Sequence, residues 1–127
     1  MSTFVNDDND NWVLLKSNKD FTDYYLQDSV IREYQNIKVW VKRIYNQGNE
    51  KPHLSKPHNL NKTFDIIDHS LVLYSFDYLD YKYCIERILH YNSDDVLLVD
   101  VKQLPKCKEI KSDSVFEYIF TQIINRL

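Results

Sequence analysis

Chemistry in this chain would have to come from its cysteines, histidines and clustered carboxylates. Cys84 and Cys107 are the only two cysteines. A bridge between them would close a modest loop and stabilise the fold by about 3 kcal/mol where the geometry allows it. The alternative is two separate thiols, Cys84 among apolar neighbours and Cys107 flanked by Lys106 and Lys108. Those ammonium groups would favour the thiolate and make Cys107 reactive. No histidine near Cys107 in sequence offers it a general base.

His53, His58 and His69, with Asp65 and Asp68, carry the side chains that bind zinc or other divalent ions. Their spacing is not that of a helical histidine pair and no paired cysteines accompany them. They read as a solvated polar loop, and no metal is expected. His90 follows Leu89 in an apolar run and reads as an edge or surface histidine. The pairs Asp77 and Asp80, and Asp94 and Asp95, could be drawn as acid and base, but carboxylates in turns more often cap backbone amides. With one glycine in the chain there is no phosphate-cradling loop, and neither a nucleophile elbow nor a paired metal motif occurs. Neither an enzyme nor a cofactor is expected.

Recognition residues are better represented. Lys51, His53, Lys56, His58 and Lys62 make a locally basic loop, which would attract an acidic protein segment or a sulfated glycan. Tyr24, Tyr25 and Trp40 lie in strand-like runs close by in sequence. The candidate partner-binding set is Tyr24, Tyr25, Trp40, Lys51, His53, Lys56 and His58. A net charge of -3 argues against nucleic acid as the partner. Ten Tyr and six Phe supply strand propensity and apolar rings together. Such rings either line a binding face or fill a β core.

The elements that must position these residues follow from length and pattern. At 127 residues and 43% hydrophobic content the chain can bury one core without metals or several disulfides. Residues 1–11, ending in the tract Asn6-Asp-Asp-Asn-Asp-Asn11, read as a disordered polar tail. Residues 12–127 read as a single domain. No apolar run approaches the roughly 18 residues of a membrane span, and the N-terminus lacks the features of a signal peptide. The chain as it stands reads as soluble.

Trp12 to Leu15 and Asp20 to Leu26 suit two strands with Asn18 and Lys19 in the turn. Val30 to Tyr34 follows the break at Asp28-Ser29. From Ile37 to Tyr45, strict alternation puts Ile37, Val39 and Val41 on one face and Lys38, Trp40 and Lys42 on the other. A long loop occupies residues 46–63, and Phe64 to His69 reads as a short strand or turn. Ser70 to Phe76 is strand-like. The span Asp80 to Tyr91 fits both a strand face and a helix face and is read as strand. With Asn92-Ser-Asp-Asp95 as turn, Lys82 to Tyr91 and Val96 to Lys102 make a hairpin. The chain closes on a helix, because Phe116, Ile119, Phe120, Ile123, Ile124 and Leu127 form one apolar stripe. Ser114-Val-Phe-Glu117 opens it as a capping box. The expected fold class is α+β, a curved antiparallel sheet of about six strands with the C-terminal helix packed on it.

The order Trp12, then Tyr24-Tyr-Leu-Gln-Asp-Ser-Val-Ile31, then Ile37-Lys-Val-Trp40, then Tyr83-Cys84, then Ile110-Lys-Ser-Asp-Ser114 before a closing helix resembles the surface-adhesin protein E family of bacterial outer-membrane lipoproteins. Tyr34-Gln-Asn36 stands where that pattern usually has a glycine. The resemblance implies display at a bacterial surface or in the periplasm, held by a lipid anchor outside this chain. It also implies a non-enzymatic role, binding host extracellular-matrix or other proteins, with pairing through exposed strands as a homodimer. The alternative reading is an intracellular structural or regulatory module, also non-enzymatic, that dimerises through an edge strand.

Overall fold

The computed structural model describes residues 11–46, 66–102 and 107–126. Its strands are β1 (Trp12–Ser17), β2 (Phe21–Leu26), β3 (Ile31–Glu33), β4 (Asn36–Tyr45), β5 (His69–Asp77), β6 (Lys82–Tyr91), β7 (Leu97–Val101) and β8 (Lys108–Glu109), and its helix is α1 (Val115–Ile124). Every strand pairing is antiparallel. The fold is α+β: the described residues form one antiparallel sheet and a C-terminal helix.

Among the described residues the sheet has eight strands, in the order β1-β2-β4-β5-β6-β7 with β3 on β4 and β8 on β6. The expected number was too low for a physical reason. β2 pairs with Val41 to Tyr45 of β4 while β3 pairs with Asn36 to Lys38. Both take the same edge of β4, and the 3-10 turn Gln27–Ser29 breaks what would otherwise be one strand. In the same way β7 pairs with Ile88 to Tyr91 of β6, and β8 with Lys82 and Tyr83. Two positions across the sheet are thus each shared by two strands; the sequence marked the break at Asp28-Ser29, but a strand of only two residues, β8, is too short to show alternation.

The first turn is closed by Asn18, whose Oδ1 accepts the amides of Asp20 and Phe21 at 2.8 and 2.9 Å. Asn92 does the same between β6 and β7, accepting from Asp94 and Val96 at 2.8 and 3.0 Å. The mixed periodicity of residues 80–91 comes from a β-bulge. Leu73 pairs with Arg87 but Tyr74 with Ile85, leaving Glu86 as the extra residue. Tyr83, Ile85 and Ile88 therefore share one face although the last step is three residues, which imitates helical spacing.

Ile37, Val39 and Val41 form the buried face of β4 with Tyr25, Val72, Tyr74, Phe76 and Ile88. Ile119, Phe120 and Ile123 of α1 close over them, and Phe116 and Ile124 pack alongside. Leu127, expected in the same stripe, lies outside the described residues. The three buried helix side chains contribute up to ~1.5–3 kcal/mol each. Ring packing gives the interface its shape, with Tyr83 stacked on Phe116 at 4.0 Å and Phe76 against Phe120 at 5.4 Å. At the outer side of the helix, the Tyr118 hydroxyl donates to the Leu15 carbonyl at 2.6 Å.

The helix cap departs from expectation in one bond. Ser114 Oγ accepts the Glu117 amide at 3.1 Å, as a capping box requires. Glu117 Oε1 does not return to Ser114 but accepts the amide of Asp113, at 2.9 Å, and Asp113 has a φ of 64°. Its other oxygen accepts the Tyr81 hydroxyl at 2.8 Å. Asn11 also departs from the expected tail: its carbonyl accepts the Gln27 amide at 2.8 Å, which ties it to the chain just past the end of β2. The rest of that tail lies outside the described residues.

Candidate functional site

Because successive residues on a strand point to opposite faces, Tyr24 and Tyr25 cannot share a binding surface. Tyr25 pairs with Val41 and is 2% exposed in the helix-covered core. It is therefore removed from the candidate surface set. Tyr24 pairs with Lys42 and lies on the opposite face, half-buried. Trp40, two residues before Lys42 on β4, is half-buried on that same face, where it packs with Trp12 against Leu71, Leu89 and Tyr91. Lys51, His53, Lys56 and His58 lie outside the described residues.

Strand pairing brings further groups to this face. Lys42 Nζ lies 4.5 Å from the Trp12 ring centroid, a cation–π contact. Leu73 pairs with Trp40 on one side and with Arg87 on the other. Arg87 forks onto Asp100 with bonds of 3.1 and 2.8 Å. That hydrogen bond lowers the Asp100 pKa and raises that of Arg87. Lys38 lies 3.4 Å from Glu86 and 3.9 Å from Glu33. The result is a centre of large rings and one ammonium group, with paired charges around it. Trp12 and Arg87 were missing from the candidate set, since only the pairing of β1 with β2 and of β5 with β6 places them here. Lys42 had a sequence signal in its two-residue spacing from Trp40.

Several titratable groups elsewhere are tied into the scaffold. Cys84 and Cys107 are joined by a disulfide. Cys107 is thus half of a bridge and not a reactive thiol. His69 stacks on Tyr91 at 5.2 Å, with Nδ1 at 2.8 Å from Asp68 and Nε2 at 3.3 Å from Asp95. Both ring nitrogens are directed at carboxylates that join the start of β5 to the β6–β7 turn. No cluster of metal-binding side chains occurs among the described residues. Asp77 accepts the amides of Leu79 and Asp80, and the Asp80 bond is the first cause of its lowered pKa.

His90, expected at an edge or surface, is completely buried. Its strand partner is Ser70, whose hydroxyl lies 2.6 Å from His90 Nδ1 and 3.1 Å from the Tyr45 hydroxyl. A serine beside a histidine could suggest a nucleophile and its base. Ser70 and His90 both have 0% exposure, so a substrate has no approach to that hydroxyl in this conformation. Burial raises the Tyr45 pKa, keeping its phenol protonated and available to this chain of hydrogen bonds.

The face bearing Tyr24, Trp40 and Lys42 is suited to recognition, with flat rings and a cation held in place by strands. Among the described residues no helix is long and apolar enough to cross a membrane. No family model, curated protein or solved structure matches the chain.

Proposed function

We propose that this chain is a non-enzymatic protein-binding module of the surface-adhesin E kind. In this reading it acts at a bacterial surface or in the periplasm and engages a host extracellular-matrix or other protein. The observation that carries it is the convergence of Tyr24, Trp40 and the Lys42–Trp12 pair on one sheet face. Aromatic anchors ringed by polar groups are the usual make-up of a binding hot spot. The Cys84–Cys107 bridge supports an oxidising compartment, where disulfides persist. The basic residues Lys51, His53, Lys56 and His58, which lie outside the described residues, would add attraction for an acidic partner by charge.

The test is binding of the purified chain, and of Trp40→Ala, to a panel of immobilised matrix proteins by interferometry. Saturable binding weakened about tenfold or more in Trp40→Ala is expected. Absence of binding across the panel, or equal binding by the variant, overturns the reading. The intracellular alternative, pairing through an edge strand, is supported by Leu97 on edge strand β7, which is 46% exposed. A concentration-dependent dimer lost in Leu97→Lys, with no matrix binding, would favour it.

A further inference from the structure

Where β2 gives way to β3, the turn Gln27–Ser29 interrupts the strand, and the C-terminal end of α1 lies beside the break. Between them is a cleft of about 290 Å³ lined by Tyr25, Gln27, Val30, Arg32, Ile123 and Arg126. This is the helix side of the sheet, opposite the face that carries Tyr24 and Trp40. Of the described arginines, Arg43 and Arg87 are each forked onto an aspartate. Arg32 and Arg126, the other two, line this cleft, and neither forms an ion pair with a described carboxylate. Each guanidinium instead lies near a tyrosine ring, Arg32 at 6.0 Å from Tyr78 and Arg126 at 5.8 Å from Tyr25. A ring contact leaves the N–H edges of a guanidinium available, and that planar fork matches a carboxylate.

We propose that this cleft binds a small organic carboxylate with a short apolar tail. Arg32 and Arg126 take the carboxylate, and half-buried Val30 takes the tail over a floor formed by the nearly buried Tyr25 and Ile123. The carbonyl end of a helix by itself disfavours an anion. Here the amides of Asn125 and Arg126 already bond the Thr121 and Ile123 carbonyls, each at 3.1 Å, and the two guanidinium charges offset the remainder. The volume is at the lower edge of the ~300–1,000 Å³ usual for drug-sized sites, which selects a short acid. Apolar walls distinguish this ligand from inorganic phosphate, and the arginines distinguish it from a neutral alcohol.

The experiment is a two-dimensional amide NMR titration of the chain with sodium hexanoate, 1-hexanol and inorganic phosphate, repeated on Arg32→Gln and Arg126→Gln. Saturable shifts at Tyr25, Val30 and Ile123 with hexanoate are expected, with hexanol and phosphate each about tenfold weaker or more. Each variant should weaken hexanoate about tenfold while the remaining resonances keep their positions. Should Arg126→Gln fray the end of α1, Arg32→Gln on β3 decides alone. No saturable shift with hexanoate, equal binding of hexanol or phosphate, or unchanged affinity in Arg32→Gln overturns the proposal. Matrix-protein binding through Trp40 is independent of each of these outcomes.

Discussion

Arg43 and Asp23 meet in a two-bond fork inside the sheet, Nε to Oδ1 and Nη2 to Oδ2, each at 2.8 Å. They are cross-strand partners on β4 and β2, on the helix-covered face, and Asp23 is completely buried. The Phe21 ring covers the guanidinium at 3.7 Å. Burial lowers the Arg43 pKa, but the hydrogen bond and charge of Asp23 outweigh it and leave the pKa raised. Removing one member strands the other charge in the interior. Asp23→Ala is expected to destabilise the protein by about 3–5 kcal/mol, whereas Asp23→Leu with Arg43→Met should recover most of that loss. Urea unfolding of both variants and the parent checks this.

The Cys84–Cys107 bridge ties β6 to the segment that leads through β8 into α1. Its loss loosens the approach to the helix and restores entropy to the unfolded chain. Replacing both cysteines by serine should lower stability by about 3 kcal/mol. Denaturation of parent and variant with and without reductant measures the loss. Alkylation of the unreduced, unfolded parent should label no thiol.

Glu117 accepts the Asp113 amide and the Tyr81 hydroxyl, and these bonds, the amide first, lower its pKa. A carboxylate whose folded pKa is depressed stabilises the fold above its unfolded pKa of about 4.3 and loses that stabilisation as pH falls through the folded value. Melting temperature should therefore fall between pH 5 and the acid limit more steeply in the parent than in Glu117→Gln. Parallel melts across that range test it, and identical slopes would remove Glu117 from the account.

The Tyr118 hydroxyl reaches from α1 to the Leu15 carbonyl on β1, at 2.6 Å, and so fastens the helix to an edge strand. Tyr118→Phe keeps the ring and removes one bond. A loss of about 0.5–1.5 kcal/mol is expected in chemical denaturation. Amide exchange in β1 should rise in the same variant.

Much of the fold was legible because it depends on period and punctuation. The alternation from Ile37 to Tyr45 identified β4 and grouped its buried residues. Asn18 and Asn92 marked turns that their side chains close, and the apolar stripe from Phe116 to Ile124 identified α1. The bulge at Glu86 was hidden, because one inserted residue shifts the period without changing composition. The candidate surface was less legible. Tyr24 and Trp40 share a face, but Tyr25 had been grouped with them on residue type although strand geometry sends it inward.

Local pattern alone was enough for β1, β2, β4 to β7, the closing helix, the turns at Asn18 and Asn92 and the grouping of residues on the two faces of β4, since each depends on residues close together along the chain, whereas the two-residue β8 left no such pattern. Only the tertiary structure decided that Trp12 lies beneath Lys42, that Asp23 finds Arg43, and that Cys84 finds Cys107. It also decided that His90 is buried on Ser70 and that Arg32 and Arg126 share a cleft. These relationships depend on register and on which edge each strand takes. Two extended segments of the same alternation pair equally well on paper, and one residue of slip exchanges the faces. The choice among such pairings is made by the packing of the whole sheet beneath the helix.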